Sequence, residues 1–477
     1  MIRFRSFAAA PLLASWALAA GFTAPAFAET INIGIGTQNT TSNTVTTGVV
    51  IKELGLLDKY LPKTGKYAGV TYNIDWQNFT SGPPVTNGMV ANKLQIGQMG
   101  DYPLVVNAHT FQSNPDSHVQ LVAVSAYSLN GSGNGLLVHK DSPYYELSDL
   151  KGKLVTVPFG SAAHGMLLKA LQDHGWPEDY FQLASQSPEV GATNLQEKKI
   201  DAHAEFVPFP EELAFRGFAR KIYDGVETKL PTWHGVTVRT DFSQKYPEIV
   251  VAYLKAVIEA DRWVRANPTY AAEKIEEWTK IEREVIYIYL GPGGIMTLDP
   301  TIKKPLIEAA KQDAAVLQKL GKIQSVDFDT WVQDSYLRQA YKELGLDYEK
   351  QLAETANYEV SGNDSFCKKP IASPRKAGEI WVDGDIVEPH ASPACTLAAL
   401  SALTASGKKI RVTYLFDTNY GTKLFADKAY YVLGKGSGTN AEILPFTLRR
   451  DAVAYAEKNG GKVADFNAAL AAAKTKG

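Results

Sequence analysis

Residues 78–103 read NFTSGPPVTNGMVANKLQIGQMGDYP, and this stretch indicates the fold class better than any other part of the chain. It begins with a short polar loop and a Gly82–Pro84 turn, and it ends at a strand-to-loop edge around Asp101–Pro103. Between them is a helix-like run that offers four apolar residues to a core: Val85, Met89, Leu94 and Ile96. Backbone N–H groups are free at a helix N-terminus, so the loop suits an anionic or polar ligand. A loop that merely turns the chain is the alternative interpretation.

The N-terminus has the pattern of a secretory signal peptide. Arg3 and Arg5 precede an apolar run over residues 7–22, and residues 26–28 form an A-x-A cleavage site before Glu29. The run is too short for a transmembrane anchor, and no cysteine follows it to carry a lipid. We therefore expect an exported periplasmic protein without direct membrane insertion.

The charge balance excludes a basic nucleic-acid-binding protein. The 477 residues include 49 Lys and Arg against 51 Asp and Glu, and the formal net charge is −2. Removing residues 1–28 takes away two Arg and no acid, which changes the net charge to −4. Such a mild charge does not favour nucleic acid or an anionic membrane surface as a partner. The length exceeds one ordinary core and predicts two or three domains.

Short apolar strands alternate with amphipathic helices from Glu29 to Glu354, which predicts an α/β fold with largely parallel sheets. The Gly-rich run over residues 128–135 suits a crossing between two lobes, because Gly and Asn tolerate unusual backbone angles. A second crossing is expected near Trp233. The predicted domain ranges are these: lobe 1 over 29–127, lobe 2 over 128–232, and a return to lobe 1 with packing helices over 233–354.

The C-terminal part differs in composition. A linker rich in Ser, Asn, Lys and Pro is predicted over residues 355–378, followed by a small α+β domain over residues 379–477. Within it, residues 409–416 and 428–434 are predicted to pair as a hairpin. Cys367 and Cys395 are the two cysteines of the chain, and in an oxidising compartment we expect a disulfide between them. A metal site is the alternative.

Several candidate ligand contacts lie where strands are expected to end, which is where open α/β sheets bind ligands. Ser161 can cap a helix whose free N–H groups could hold an anionic group, and His164 follows one turn later. Glu205 is a single acid in apolar surroundings, and Trp233 lies at the expected second crossing. Each has a structural alternative. Ser161 would then be an ordinary helix cap and His164 a surface histidine. Glu205 would be a solvated acid and Trp233 a core aromatic residue.

No enzyme motif is present in the sequence. It lacks a G-x-S-x-G elbow, a phosphate loop, an H-E-x-x-H pair and a dinucleotide-binding fingerprint. Residues 434–438 are Gly-rich, but no Lys-Ser/Thr and helix follow them. We therefore predict a binding protein, not an enzyme, with no cofactor.

Residues 30–350 resemble the periplasmic substrate-binding proteins of nitrate/sulfonate/taurine-class ABC importers. Four segments carry the resemblance: residues 50–57, 78–103, 156–161 and 191–201. It implies a type II periplasmic-binding fold whose ligand is held between two hinged lobes. It also implies ligand contacts at the following positions: Thr37, Asn39, Asn78, Phe79, Ser81, Asp101, Tyr102, Ser161, His164, Glu205 and Trp233.

The implied mechanism is capture of a small polar molecule by closure of the lobes, followed by delivery to a permease in the inner membrane. A monomer is expected. Anion binders of this class often place an Arg in the cleft, and none of the four segments contains one. The missing Arg weighs against nitrate, a sulfonate and taurine alike, and Glu205 keeps an amine-bearing or heterocyclic ligand open.

The C-terminal domain resembles the NosL-like copper chaperones of nitrous oxide reductase assembly. The likeness rests on residues 429–432, 444–446, 451–456 and 460–463. It implies a second candidate function, periplasmic copper delivery, for which the available ligands are Cys395, Cys367 and His390. Cu(I) favours Cys and Met ligands, but no Met follows Met296, so a metal-free domain with a disulfide is the preferred prediction.

Overall fold

The computed structural model describes residues 29–114, 117–355 and 358–474. The expected signal peptide, residues 1–28, lies outside the described residues. Within the described ranges, no helix combines the length and the apolar character needed to cross a membrane.

The first lobe is built on a six-stranded sheet. Three strands run parallel in its first half, and Thr232–Arg239 is inserted antiparallel between Ile96–Gly100 and Val119–Ser128. The strands lie in this spatial order: Thr297–Leu298, Val119–Ser128, Thr232–Arg239, Ile96–Gly100, Thr30–Thr37 and Thr71–Asn78. The strand that returns from the other lobe is therefore buried in the middle of this sheet.

The second lobe repeats this arrangement with five strands. Here Gly135–His139, the strand that enters from lobe 1, lies antiparallel between Ala202–Glu205 and Ala219–Asp224. The spatial order is Gln182–Ser185, Leu154–Val157, Ala202–Glu205, Gly135–His139 and Ala219–Asp224. Each lobe thus contributes one strand next to a crossing, so the two sheets are tied together by their own backbone. The two lobes that the sequence predicts are present.

The parallel strands of both sheets have their carboxyl ends at the boundary between the lobes, which we call the seam. The helices that follow these strands therefore begin at the seam, with their free N–H groups and positive dipole ends there. These helices are Gly82–Val90, Asp101–Gln112, Ala162–Asp173, Pro188–Gln196 and Phe209–Phe215. A serine directly precedes three of them: Ser81, Ser161 and Ser187.

Helices cover the outer face of lobe 1. The longest, Pro247–Ala266, begins with a proline, which needs no N–H partner at a helix start, and buries Ile249, Tyr253 and Val257. Burying each such side chain contributes about 1.5–3 kcal/mol. The other helices between residues 49 and 353 that do not begin at the seam are Val49–Glu53, Leu56–Tyr60, Thr240–Lys245, Pro268–Thr279, Arg283–Leu290, Lys304–Lys319, Phe328–Trp331, Ser335–Glu343 and Tyr348–Ala353.

The C-terminal part folds as two small antiparallel sheets with three helices. One sheet has the strand order Val387–His390, Gly378–Val382, Ile410–Phe416 and Lys423–Phe425, and the other has Ile443–Phe446, Tyr430–Leu433 and Lys462–Ala464. The helices are Pro393–Ala405, Arg449–Asn459 and Phe466–Ala473. A two-strand hairpin, Asn363–Asp364 with Lys369–Pro370, precedes these sheets within the predicted linker.

The predicted hairpin of residues 409–416 with 428–434 is wrong. Ile410–Phe416 pairs with Lys423–Phe425, whereas Tyr430–Leu433 belongs to the other sheet. The Asp417 carboxylate accepts hydrogen bonds from the N–H groups of Asn419 and Tyr420 at 2.8 and 3.0 Å, which forms a tight turn. This turn starts an additional short strand that the sequence pattern did not indicate.

Cys367 and Cys395 are joined by a disulfide with an S–S distance of 2.09 Å and a sequence separation of 28 residues. It connects the loop after Asn363–Asp364 to the first turn of helix Pro393–Ala405. Because the bond closes a loop of this length, it restricts the unfolded chain.

Replacing both Cys367 and Cys395 with Ala is expected to lower the free energy of unfolding of the C-terminal domain by about 3–4 kcal/mol, from the loop length. Urea unfolding of the mature protein, followed by hydrogen exchange of the backbone amides of helix Pro393–Ala405, measures the loss. Reduction of the unmodified protein should reproduce it. An unchanged midpoint in both experiments would contradict a stabilising disulfide.

Candidate functional site

The start of helix Ala162–Asp173 provides the lobe 2 wall of the seam. Ser161 caps the helix, its Oγ accepting from His164 N at 3.2 Å, and His164 Nδ1 accepts from Gly160 N at 3.1 Å. The N–H groups of Ala162 and Ala163 precede the first helical hydrogen bond and remain free to donate into the seam. Burial lowers the pKa of His164 to about 4, so the imidazole is neutral at neutral pH, with its proton on Nε2.

The two lobes are in direct contact at this helix start. A methyl group on Gly165 would come within 2.5 Å of Cδ2 of Tyr102 in lobe 1. A methyl group on Gly100 would lie 3.2 Å from Ala162 Cβ, and one on Gly160 would lie 3.0 Å from Cγ of Pro83. The two lobes therefore approach each other closely at this helix start, and small residues permit the approach.

A cluster of buried neutral polar side chains lies on the lobe 1 side of the seam. Thr41, Ser42 and Asn43 follow the first strand, and Asn43 Nδ2 lies 3.1 Å from His234 Nδ1. Thr41 Oγ1, Ser42 Oγ and Asn43 Oδ1 are buried and find no hydrogen-bond partner within the described ranges. A buried polar atom without a partner costs about 1–3 kcal/mol, so a ligand that supplies the partner is favoured.

His234 connects this cluster to the seam. Its Nε2 lies 3.4 Å from the position that a methyl group on Gly100 would occupy. Ala162 Cβ of lobe 2 lies 3.2 Å from the same position. With Asn43 as the donor, Nδ1 accepts and Nε2 carries the proton, so this ring is a hydrogen-bond donor facing lobe 2. Burial lowers the pKa of His234 to about 3. The ring is therefore uncharged at neutral pH.

Asp101 ties the seam to both crossings. Its carboxylate accepts from Tyr102 N at 2.7 Å, Thr232 Oγ1 at 2.9 Å and Trp233 N at 3.0 Å. Thr232 Oγ1 in turn accepts from Asn134 Nδ2 at 3.1 Å, so the network includes residues of both crossings. Burial raises the pKa of Asp101, and these donors oppose that rise. The structure thus places Asp101 in a hydrogen-bond network with both crossings, and its contact with a ligand stays a prediction.

The predicted residues of the loops after the first two strands lie near one another. Asn39 N donates to Asn78 Oδ1 at 2.7 Å, which joins the two loops. Thr37 Oγ1 donates to Gln77 O at 3.3 Å, and Phe79 packs against the second core cluster of lobe 1. Ser81 precedes helix Gly82–Val90 without a side-chain capping bond. These contacts hold the loops in place, and ligand binding by these residues remains a prediction.

Glu205 and Trp233 are engaged within their own lobes. Glu205 Oε1 lies 2.6 Å from His203 Nε2, and both side chains are fully buried. Burial raises the pKa of Glu205, opposed chiefly by the His203 charge. Trp233 is fully buried in the core of lobe 1, and Tyr102 lies under the start of helix Ala162–Asp173. Their role as ligand contacts is likewise a prediction only.

Sequence reasoning missed Thr41, Ser42, Asn43 and His234 as members of the site. The signal was visible for the first three, because residues 40–47 read TTSNTVTT directly after a strand and its loop. A run of small polar residues at the carboxyl end of a parallel strand is where a ligand would find neutral donors. No local pattern marks His234, since its place depends on the antiparallel insertion of Thr232–Arg239.

The candidate copper ligands of the C-terminal domain are engaged with one another. The sulfurs of Cys367 and Cys395 are joined in the disulfide, and His390 Nδ1 lies 3.2 Å from Asp364 Oδ1. Asp364, Cys367 and Cys395 form a group with the spacing of metal ligands. In the bonded form neither sulfur is a thiolate, which is the form that binds a metal.

The fold and the polar seam define a two-lobed binding protein. The NMT1-like family model matches residues 27–279, and the chain belongs to this family. The match leaves residues 280–477 outside the family model.

Curated relatives match more than half of the chain. The chain is 27% identical over 285 residues to the taurine-binding periplasmic protein of Escherichia coli (strain K12), covering 57% of this chain and 86% of that protein. It is 24% identical over 296 residues to a putative aliphatic sulfonates-binding protein of Bacillus subtilis (strain 168), covering 62% of this chain and 85% of that protein.

Solved structures show the same fold. The alkanesulfonate-binding protein SsuA from Xanthomonas axonopodis pv. citri bound to MOPS aligns with a TM-score of 0.54 at 19% identity, over 65% of this chain and all of that chain. The periplasmic nitrate-binding protein NrtA from Synechocystis PCC 6803 aligns with a TM-score of 0.51 at 15% identity. The alignment covers 70% of this chain and 93% of that chain. The predicted periplasmic-binding fold is thereby confirmed.

Replacing Gly165 with Ala is expected to open the lobes without weakening the helix. Ala favours a helix over Gly by about 1 kcal/mol, but its methyl group meets the Tyr102 ring across the seam. Small-angle scattering of the ligand-free protein should show a larger radius of gyration. Gln172→Ala, an exposed change in the same helix, is the control. An unchanged radius for Gly165→Ala would mean that this contact does not set closure.

Replacing His164 with Asn is expected to reduce the acid sensitivity of the protein. The folded-state pKa is about 4 and the unfolded value about 6.5, so between these values the unfolded chain binds the proton and stability falls as pH decreases. Between pH 7.5 and 5.5, protonation of this histidine in the unfolded chain lowers the free energy of unfolding by about 1 kcal/mol. Urea midpoints at the two pH values measure it. Equal pH dependence in both proteins would contradict a buried neutral His164.

Proposed function

We propose that the protein is an exported solute-binding protein that captures a small polar molecule between its lobes and delivers it to an ABC importer. The observation that carries the proposal is a set of buried polar atoms, on Thr41, Ser42 and Asn43, that find no hydrogen-bond partner within the described ranges. They lie beside His234, whose ring approaches the start of helix Ala162–Asp173 near Gly100. Membership of the NMT1-like family and the periplasmic relatives support it. Periplasmic localisation, the partner permease and a monomeric state belong to the proposal.

The ligand that this chemistry favours carries an oxyanion group. The N–H groups of the first turn of Ala162–Asp173 and the positive end of its dipole suit negative charge. The lobe 1 cluster provides neutral hydroxyl, amide and imidazole groups, which can bind the oxygens of such a group without an Arg. We therefore place a small organosulfonate first, as the names of the curated relatives suggest.

An amine or heterocyclic ligand that pairs with Glu205 is less favoured. The carboxylate already has His203 as its partner within lobe 2, at 2.6 Å. It also accepts from Phe206 N at 3.2 Å. A cationic ligand would have to displace His203 from this buried contact, and a buried polar group left without a partner costs about 1–3 kcal/mol.

The lobes must separate to admit a ligand. Along the seam between Asp101, Ala162 and Thr232, the cavity has a volume of about 30 Å³, close to the share of one water molecule. Contacts from both lobes exist together only in the closed arrangement, so a ligand that makes them shifts the population toward it. The closed form is then the form that a permease can distinguish.

Copper delivery receives no support from the geometry of the C-terminal domain. Both sulfurs are in the disulfide, and Met ligands are absent after residue 296. The resemblance of this domain to NosL-like chaperones stays a prediction. Thiol titration of the denatured, unreduced protein is the direct measurement, and two free thiols would reopen the copper alternative.

Replacing Asn43 with Ala is expected to weaken binding of the best solute at least tenfold, because the ligand loses a partner and His234 loses its neighbour. Isothermal titration of the mature protein against taurine, ethanesulfonate and nitrate measures the dissociation constants. Asn87→Ala, an exposed change of the same type in helix Gly82–Val90, is the matched control and should leave them unchanged.

If none of the three solutes nor a wider thermal-shift panel of amines and pyrimidines binds, the proposed function is wrong. If a solute binds equally to the Asn43 variant and to the unmodified protein, capture occurs but the polar cluster is not its site. These two outcomes separate the function from the location of the site.

A further inference from the structure

The C-terminal domain shares a core with lobe 1. Trp381 and Tyr414 pack around Tyr287 of helix Arg283–Leu290, with ring centres 5.1 and 5.4 Å from the Tyr287 ring. All three belong to one buried hydrophobic cluster that also contains Phe425 and the helices of lobe 1. Such continuous apolar packing makes the two parts move as one body.

Polar contacts strengthen the same junction. Tyr287 OH donates to Glu379 Oε1 at 3.0 Å, and Tyr414 OH donates to Glu284 O at 2.8 Å. Lys423 pairs with Glu379 and also donates to Pro292 O at 2.9 Å. These groups are buried and mutually satisfied, so separating the domain from lobe 1 would expose both apolar and charged surface.

The same domain touches the first crossing between the lobes. Ser132 Oγ lies 2.8 Å from Thr422 Oγ1, and Asn130 Nδ2 donates to Thr422 Oγ1 at 3.4 Å. Thr422 directly precedes the strand Lys423–Phe425. This strand is anchored to lobe 1 by the hydrogen bond from Lys423 to Pro292 O. A change in the backbone of the crossing would therefore alter contacts with the domain.

A third set of contacts reaches lobe 2. The rings of Phe215 and Phe425 are 5.2 Å apart, Arg450 forms an ion pair with Glu227, and the Arg449 guanidinium lies 4.9 Å from the centre of the Tyr145 ring. Tyr145 is 37% exposed, and both side chains of the ion pair keep some exposure. Phe215 packs against the same apolar cluster as Phe425, whereas the contacts of Arg449 and Arg450 are polar and partly exposed to water.

The interface with lobe 2 is also incompletely packed. A cavity of about 350 Å³ remains between the edge strand Ala219–Asp224 of lobe 2 and the C-terminal domain. It is lined by residues of both parts, among them Glu211, Ala214, Lys221, Leu424, Phe425 and Tyr430. An interface with such a gap forfeits dispersion contacts, so it can separate at lower cost than the shared core.

We propose that the C-terminal domain is a latch: it is fixed to lobe 1 and holds lobe 2 in the closed arrangement through Thr422, Phe425 and Arg450. This proposal rests on the proposed function, the capture of a solute between two lobes. The latch adds contacts within the chain that stabilise the closed arrangement. A domain that was only tethered to lobe 1 would not need contacts with the crossing and with lobe 2. The latch favours the closed form before any ligand binds, and it slows the exchange of ligand.

The test measures opening without ligand. Spin labels on Cys residues introduced at Asn87 in lobe 1 and Val190 in lobe 2, both exposed, report the distance between lobes by double electron–electron resonance. The native cysteines do not interfere because both are in the disulfide. Point variants are used because removing the whole domain would expose the apolar face around Tyr287.

The decisive variant is Thr422→Val with Arg450→Gln, which removes the contacts with the crossing and with Glu227. We expect at least a threefold larger population at the longer, open distance, together with a faster dissociation rate of any solute that binds. The matched control, Thr404→Val with Lys458→Gln, removes one threonine hydroxyl and one positive charge at exposed positions of the same domain. It should keep the distance distribution of the unmodified protein.

An unchanged distance distribution in the decisive variant, with an unchanged melting temperature, would overturn the latch. A melting temperature that falls with no gain in the open population would also overturn it, since the residues would then act only on stability. Failure of the proposed function is separate, because the distance measurement needs no ligand. An open variant that binds none of the tested solutes would retain the latch and reject solute capture.

Discussion

The buried carboxylate of Asp101 is the interaction on which the arrangement of the two lobes depends. It lies at the N-terminus of helix Asp101–Gln112, where the helix dipole favours a negative charge. Its acceptor sites are filled by Tyr102 N, Thr232 Oγ1 and Trp233 N, and Thr232 is bonded to Asn134 of the first crossing. The Asp101 carboxylate therefore holds the seam wall and both crossings together. A carboxylate buried away from water is stable only when its oxygens accept hydrogen bonds, so these partners must stay in place.

The sequence predicted the architecture well because the architecture follows from periodicity. Alternating apolar strands and amphipathic helices determine the two α/β lobes, and the Gly-rich run over residues 128–135 marked the first crossing. The helix start at Ser161 was also predictable, since a capping serine after a strand is a local signal. In these cases, residues close in sequence decide the structure.

The parts that the sequence did not predict depend on contacts between distant residues. His234 reaches the seam because its strand is inserted antiparallel beside Ile96–Gly100, and Asn43 lies 191 positions away in the chain. The error in the C-terminal hairpin has a related cause, since a turn held by Asp417 redirects the chain to a strand of another sheet. The shared core of Tyr287, Trp381 and Tyr414 likewise has no local sequence signal.

In the proposed mechanism, closure of the lobes is the equilibrium on which the seam, the crossings and the C-terminal domain all act. A ligand shifts it only by the difference between its affinities for the two arrangements. Contacts that already favour the closed form reduce the open population through which the ligand enters, and so they lower the apparent association rate. The same contacts prolong the bound state, because release also requires opening. A scavenger of a scarce solute gains from slow release, provided that the interface with lobe 2 is weak enough to open. The polar, incompletely packed contacts of the C-terminal domain with lobe 2, beside its well-packed core with lobe 1, satisfy that condition.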